Sequence, residues 1–250
     1  MNFQKLCFAF VVFMTMVAFG SASTEKWEGR RCSVADTRGV WGYLATGFDS
    51  YGLPMAVLAQ ATADGQGNLT GWAKVDDDGV IVPATYTGTV TVAKDCTGSW
   101  TLTFPDGSTL TNNFVMDDNK EGYQSIYTTF GTMTAFAVEQ GPAVCGMTGK
   151  KHTFAFNFTG TQIGVGPVAF VGQVIYDGNG NMYGTLTQSL QGTITSGVPF
   201  SGTYTENADC TGTVQITGDG NFSFIVVNGG KEHLLIHTEP GWIISGTEQQ

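Results

Sequence analysis

An internal repeat is the feature of this sequence that most limits its fold. The motif Asp-Gly-Gln-Gly-Asn at residues 64–68 recurs as Asp-Gly-Asn-Gly-Asn at 177–181, an offset of 113 residues. The motif Asp-Cys-Thr-Gly at 95–98 recurs at 209–212, an offset of 114 residues, and the shared residues keep the same order in both halves. This pattern indicates a tandem duplication in which each copy is long enough to form a domain. The chain must therefore fold as two similar units.

The first 23 residues have the composition of a secretory signal peptide. Lys5 precedes an uncharged stretch at 6–19, which small residues follow at 20–23. An apolar region of this length is too short to span a bilayer as a helix, and the small residues are typical of a cleavage site. We predict cleavage near Ala22 or Ser23, no transmembrane span in the mature chain, and a secreted or periplasmic location in a bacterium.

Cleavage would remove Cys7 and leave four cysteines, Cys32, Cys96, Cys145 and Cys210. An even number of cysteines in an exported chain indicates two disulfides, and four cysteines allow three pairings. The separations within the copies are 64 and 65 residues, so the repeat favours one disulfide in each copy. Short Cys-x-x-Cys and Cys-His spacings are absent from the sequence, and we expect no metal site.

The residues between these motifs predict an all-β fold. Apolar and polar residues alternate in segments such as 152–158 and 221–227, as they do in strands with one buried face. Asp-Gly and Gly-Gly pairs separate such segments and are typical of hairpin turns. The spacing allows seven or eight strands per copy, which is the number that closes a small antiparallel barrel. We therefore predict two tandem β-barrels, at 24–141 and 142–250.

Two other β architectures compete with this prediction. An immunoglobulin-type sandwich places a tryptophan between two bridged cysteines, and copy two has no tryptophan between Cys145 and Cys210. An outer-membrane barrel would explain the charged content of only 13% and the 35 glycines, but it would explain neither the two disulfide-linked copies nor the polar end of the chain.

Copy two carries two signatures, at 177–181 and 209–212, followed by Gly-Lys-Glu at 230–232. With these motifs it resembles a large group of exported bacterial barrel proteins, most of which have no assigned function. Copy one resembles the group more loosely, because it has Val90 where copy two has Tyr204. The resemblance implies one closed barrel per copy, similar in architecture to the allene-oxide-cyclase and lipocalin class. It implies no catalytic residues, since a fold does not carry a function.

The charge balance excludes one class of partner. Lys and Arg number 11 against 21 Asp and Glu, which gives a net charge of -10. A protein that binds nucleic acid by neutralising phosphates needs clustered cations. We therefore predict no nucleic-acid partner. The sequence also contains no phosphate loop and no dinucleotide fingerprint, so we predict no cofactor.

Two kinds of side chain are candidates for a functional site. Glu121 and Glu232 occupy equivalent positions, and either would act as a general base if it were buried inside a barrel. His233 and His237 share one face of a predicted strand and stand where copy one has Tyr123 and Tyr127, which favours a structural or ligand-lining role over catalysis. Further candidates for lining a ligand are the strand phenylalanines Phe154, Phe156, Phe158, Phe222 and Phe224.

These observations lead to three hypotheses about function. The absence of a recognisable catalytic set favours a non-catalytic barrel protein that binds a small apolar or amphipathic ligand. The first alternative is a cyclase or isomerase in which a buried Glu or His moves a proton. The second alternative is a structural or surface interaction module.

Overall fold

The computed structural model describes residues 31–117, 119–129, 131–141, 145–218 and 220–250. The predicted signal peptide at 1–23 lies outside the described residues. The first half of the chain forms strands β1 (Gly39–Phe48), β2 (Pro54–Ala63), β3 (Asn68–Asp77), β4 (Val80–Val92), β5 (Thr97–Thr103), β6 (Thr109–Met116), β7 (Gly122–Tyr127) and β8 (Thr132–Glu139). The second half forms β9 (His152–Gln162), β10 (Gly166–Tyr176), β11 (Asn181–Leu190), β12 (Thr193–Glu206), β13 (Thr211–Ile216), β14 (Gly220–Val227), β15 (Glu232–His237) and β16 (Trp242–Gln249).

Each set of eight strands closes into an antiparallel barrel. Every strand pairs with the next along the chain, and the last strand of each set pairs with the first. Disulfides join Cys32 to Cys96 in the first barrel and Cys145 to Cys210 in the second. The structure therefore confirms the prediction of two small all-β barrels with one disulfide each.

Side-chain alternation along the strands builds the two barrel cores. In β9 the three phenylalanines Phe154, Phe156 and Phe158 are buried, while the residues between them are exposed. They belong to the core of the second barrel, and the corresponding inward residues Trp41, Tyr43 and Ala45 belong to that of the first. This is the period of two residues that the sequence predicts.

The repeated Asp-Cys-Thr-Gly motif forms the same turn in both barrels. The carboxylate of Asp95 accepts hydrogen bonds from the Thr97 amide at 3.1 Å and the Thr97 hydroxyl at 2.7 Å. Between them, Cys96 has a φ of 69°, which the disulfide and the Asp cap hold in the left-handed region. A side chain at Gly98 would collide with the ring of Phe114, so the motif combines a turn, a covalent bridge and a close packing contact.

One end of each barrel is covered, and the disulfides lie at these covered ends. In the first barrel the short 3-10 helix Val34–Thr37 packs there, and the Trp41 indole N–H donates to the Thr37 carbonyl at 2.8 Å. In the second barrel the Tyr204 hydroxyl donates to the Met147 carbonyl at 3.1 Å. At the opposite ends, hairpin β3–β4 of the first barrel contacts hairpin β15–β16 of the second. The Gly241 amide donates a hydrogen bond to the Gly79 carbonyl there at 3.1 Å. The two uncovered ends therefore lie on the same side of the molecule.

The barrels pack side by side through a third apolar cluster. It joins outward residues of both barrels: Leu44, Ala56, Leu58, Ile225, Val227, Leu234, Ile236 and Ile243. Gly42 allows this approach, since a β-carbon there would lie 2.5 Å from a methyl group of Val227. The Lys74 ammonium donates to the Ser223 hydroxyl at 2.6 Å across the same interface.

An unpaired carboxyl group is buried next to this cluster. Asp76 shares the outer face of β3 with Trp72 and Lys74 and is only 1% exposed. Neither of its carboxyl oxygens has a hydrogen-bond partner among the described residues. Burial, reinforced by the charge of Asp77, raises the pKa of Asp76 to about 7, while the nearby Gly79 amide opposes the shift. Ionisation of this group is therefore unfavourable in the folded protein.

Replacing Asp76 by Asn is expected to change the pH dependence of stability. The folded pKa lies above the unfolded one, so the wild type loses stability as the pH rises from about 4 to about 7 and carries the full penalty above that. Asp76→Asn removes the charge but leaves a buried amide, and we expect a gain of about 1–2 kcal/mol at pH 8. Urea unfolding at pH 5 and pH 8 measures the difference. An equal effect of the substitution at both pH values would contradict this account.

Candidate functional site

The first barrel encloses a chamber of about 850 Å³ that reaches its uncovered end. Apolar and aromatic side chains form most of its wall, among them Met55, Val57, Ala73, Tyr86, Leu102 and Phe104. The hairpins β3–β4 and β5–β6 form the rim, where Asp77 and Asp106 are the acidic residues. A chamber of this size falls within the range of small-molecule sites.

Polar groups converge deep in this chamber. The Asn112 side-chain amide donates to the Tyr43 hydroxyl at 3.1 Å, and the Ser125 hydroxyl lies 3.4 Å from the same oxygen. Burial raises the pKa of Tyr43 and holds that of Tyr127 well above its usual range. These hydroxyls therefore stay neutral near pH 7 and serve as hydrogen-bonding groups, not as bases.

Two buried polar atoms beside this group have no protein partner. The indole N–H of Trp100 and the side-chain carbonyl of Asn112 are unpaired among the described residues. Trp100 and Asn112 face each other across β5 and β6, and both line the chamber. Buried polar atoms are rarely left without a partner, so this donor and this acceptor are available to a polar group that enters the chamber.

The second barrel contains a smaller chamber of about 240 Å³. Its wall includes five phenylalanines, namely Phe156, Phe158, Phe170, Phe200 and Phe222. Phe158 stacks on Phe156 at 5.1 Å and on Phe222 at 5.5 Å between ring centroids. His237 and Trp242, at the adjoining ends of β15 and β16, also line it. The chamber is thus narrower and more aromatic than that of the first barrel.

A buried polar cluster lies on the covered side of the second chamber. The Tyr176 hydroxyl donates to Glu248, 3.1 Å from Oε1 and 2.8 Å from Oε2, and His233 Nδ1 lies 2.8 Å from Oε2. Tyr176 and His233 are fully buried and Glu248 is 3% exposed. Burial and the adjacent Glu248 hold the pKa of Tyr176 well above its usual range, so its hydroxyl remains a donor. Glu248 itself lines the chamber.

The first barrel does not have this cluster. The cross-strand pair His233 and Glu248 corresponds to Tyr123 and Ala137 in the first barrel. Conversely, polar residues of the first chamber correspond to phenylalanines in the second: Phe156 occupies the position of Tyr43, and Phe222 that of Asn112. The two copies therefore keep one scaffold and carry different chamber chemistry.

The structure brings together only some of the residues predicted to line a ligand. Tyr127 lines the first chamber, and His237, Phe156, Phe158 and Phe222 line the second. The other predicted residues are buried in the cores and do not border the chambers: Tyr123, Phe154, Phe224 and His233. They pack closely instead, as shown by the 4.3 Å between the ring centroids of Phe154 and His233.

The two glutamates proposed as general bases lie outside both barrel interiors. Glu121 is exposed and accepts a hydrogen bond from the Asn119 side chain at 2.6 Å. Glu232 accepts one from Gln249 at 3.1 Å and borders a crevice on the outside of the barrels. The residue before an inward-facing His233 must point outward in a strand. A role that requires burial inside a barrel is therefore not open to either residue.

Sequence reasoning missed Tyr43, Asn112, Tyr176 and Glu248. A comparison of the two copies could have found them, because all four occupy inward strand positions where the copies have chemically different residues.

The repeated Asp-Gly-x-Gly-Asn motif forms a turn in both copies. The Asp177 carboxylate accepts hydrogen bonds from the Asn179 amide at 2.7 Å and the Asn181 amide at 3.0 Å. Within the described ranges, no group of three or more His, Cys, Asp or Glu side chains could hold a metal ion.

The fold and the chambers define a tandem-barrel protein with one internal chamber in each barrel. No protein-family model and no curated protein matches the sequence. The solved structures that match include the following two. One is a protein from Nitrosomonas europaea provisionally assigned as AttH, with 9% identity, a TM-score of 0.32, and coverage of 84% of this chain and 92% of that one. The other is kievitone hydratase from Nectria haematococca, with 7% identity, a TM-score of 0.29, and coverage of 88% and 92%. Similarity at this level is too low to bear on function.

Proposed function

We propose that the protein binds a small amphipathic molecule in the chamber of the first barrel. The observation that carries this proposal is the unpaired donor and acceptor pair of Trp100 and Asn112 inside an otherwise largely apolar chamber. The apolar body of the ligand would pack against the wall, and its polar group would bond to both side chains. Binding would thus satisfy two buried polar atoms whose isolation is costly.

The surroundings of the pair restrict the polar group of the ligand. A group that accepts from the indole and donates to the amide carbonyl is an alcohol, a carboxamide or a protonated acid. Lys74 lies on the outer face of β3, and its ammonium donates to Ser223 of the other barrel, away from the chamber. The acidic residues Asp77 and Asp106 stand at the rim. An uncharged polar group therefore suits this chamber better than an anion.

The two disulfides are compatible with an extracellular protein, since they persist in oxidising compartments. Among the described residues, no helix is long and apolar enough to cross a membrane. We propose that the chain is exported, with residues 1–23 as the signal, and that it belongs to the group of exported barrel proteins that it resembles. No cofactor is part of this proposal.

Binding can be tested with Nile red, an uncharged dye with no N–H or O–H group that fluoresces in apolar sites. The mature protein is expected to enhance its fluorescence, and 1-decanol is expected to displace it at lower concentration than decanoate at pH 8. Ala73→Phe fills the chamber from β3 and should abolish the enhancement, because Ala73 is buried and lines the wall. Asn112→Leu should weaken competition by 1-decanol about tenfold through loss of one buried hydrogen bond.

A matched control lies on the same strand. Thr70 is exposed on β3, so Thr70→Phe adds the same side chain outside the barrel and should leave dye binding unchanged. Native mass spectrometry of the protein purified from its own compartment would identify a resident ligand. If Ala73→Phe binds the dye as well as the wild type does, the first chamber is not the site.

The second barrel gives the enzyme hypothesis a specific structural basis. There the Glu248 carboxylate lines a chamber and is held by Tyr176 and His233, whereas Glu121 and Glu232 lie outside the interiors. An acid–base reaction of the cyclase or isomerase kind would use Glu248 as the group that takes and returns the proton. Glu248→Gln should then abolish turnover while Glu121→Gln leaves it unchanged. The interaction-module hypothesis remains a prediction from the sequence.

A further inference from the structure

We propose that the second barrel holds a separate binding site for a small planar aromatic molecule that donates a hydrogen bond, such as a phenol, an aryl amine or an indole. This site does not depend on the ligand proposed for the first barrel. It rests on two features of the second chamber, its phenylalanine wall and the carboxylate that borders it.

The wall fits a flat ring. Phe156 and Phe158 stack with an interplanar angle of 19°, and Phe200 meets Phe156 edge-on at 5.8 Å between centroids. Such faces and edges favour another aromatic ring by offset stacking or edge-to-face contact. An apolar cavity of about 150 Å³ already holds benzene. The chamber of about 240 Å³ therefore has room for a bicyclic ring, but not for the larger ligands that the first chamber would admit.

The carboxylate supplies one directed acceptor. Oε2 of Glu248 receives the short bond from Tyr176 and faces His233 Nδ1, both at 2.8 Å. Oε1 receives only the longer Tyr176 contact at 3.1 Å among the described residues. A carboxylate has about four lone-pair sites, so Oε1 can accept a further hydrogen bond from a ligand. Tyr176 and His233 thus position the acceptor, and the ligand supplies the donor.

The two chambers offer different hydrogen-bonding groups, so the two barrels should select different ligands. The first chamber offers both a donor and an acceptor, at Trp100 and Asn112, and the second offers an acceptor at Glu248. A ligand without an N–H or O–H would leave the Glu248 carboxylate buried against apolar atoms, which is costly. An anionic ligand would meet a like charge. The second site should therefore discriminate by the presence of a donor on an aromatic ring.

Isothermal titration calorimetry with indole and benzofuran tests this directly, because the two rings match in shape and only indole carries an N–H. Indole is expected to bind at least about tenfold more tightly than benzofuran to the oxidised mature protein. Glu248→Gln keeps the side-chain shape and should reduce this preference to about threefold or less. Val214 lines the chamber and corresponds to Trp100 of the first barrel, so Val214→Trp should block indole binding.

Variants of the first barrel provide the controls. Ala73→Phe and Asn112→Leu change only the first chamber and should leave indole affinity unchanged. Loss of indole binding in Ala73→Phe together with retention in Val214→Trp would place the ligand in the wrong barrel and overturn the proposal. Equal affinities of indole and benzofuran for the wild type would also overturn it, and this comparison needs no variant to fold. Dye binding to the first barrel is measured separately, so the two proposals can fail independently.

Discussion

Replacing the two cysteines of one barrel by alanine is expected to lower the free energy of unfolding by about 4 kcal/mol. The disulfides close loops with sequence separations of 64 and 65 residues. In the chain-entropy account, a closed loop of this length removes many conformations from the unfolded chain and so favours the folded state. Guanidinium unfolding followed by circular dichroism measures the change. The two barrels should lose similar amounts, because their loops are nearly equal in length.

The reduced wild type is the matched control for this prediction. Cys96 and Cys210 have φ values of 69° and 64°, and an alanine there meets the same left-handed strain as the cysteine because both carry a β-carbon. Reduction with a thiol keeps the residues and removes only the bridge. A loss below about 1 kcal/mol on reduction would show that the barrels do not depend on their disulfides.

Replacing His233 by leucine is expected to lower the free energy of unfolding by about 2–3 kcal/mol at pH 7. His233 is fully buried and its Nδ1 lies 2.8 Å from the Glu248 carboxylate. Leucine fills most of the space but leaves that carboxylate with the Tyr176 hydroxyl as its described hydrogen-bond donor. Removing one hydrogen-bonding partner of a buried carboxylate leaves that carboxylate less well satisfied, which lowers the stability of the folded state. Urea unfolding measures this loss.

The double variant His233→Leu with Glu248→Gln separates the two causes. Glutamine is neutral and can still accept from Tyr176, so no uncompensated charge remains in the core. We expect the double variant to regain about half of the stability that the single variant loses. If the double variant is as unstable as His233→Leu alone, the loss comes from packing against Phe154 and Phe224, whose rings lie 4.3 and 5.5 Å from that of His233.

Local sequence patterns predicted the scaffold well. Alternation placed Phe154, Phe156 and Phe158 on one buried face of β9, and the repeat paired each cysteine with its partner in the same copy. Both signals need only neighbouring residues or a comparison of the two halves. The same period of two residues puts Glu232 outside the barrel once His233 points inward. The outward orientation of Glu232 could therefore have been predicted from the sequence.

The chambers required more than local patterns. Glu248 is 72 residues from Tyr176 and 15 from His233, and Asn112 is 69 residues from Tyr43. The β15–β16 hairpin itself pairs Glu248 with His233. Only closure of the barrels brings Tyr176 to Glu248 and Asn112 to Tyr43, since β16 must pair with β9 and β8 with β1. The number of strands did not decide whether the interior is filled. Phe, Tyr and Asn at equivalent inward positions made one chamber of about 850 Å³ and another of about 240 Å³.

The sequence by itself determined that the chain forms two small barrels of seven or eight strands, each with one disulfide. Alternation and turn residues act over short distances along the chain, and the repeat needs only a comparison of the two halves. Only the tertiary structure decided which inward side chains border a chamber and which fill the core. It also decided that Asp76 is buried on the outer face of β3, and that Trp100 and Asn112 keep a donor and an acceptor without a partner among the described residues. The physical reason is that burial and hydrogen-bond satisfaction depend on every element that packs around a group, and those elements come from distant parts of the chain.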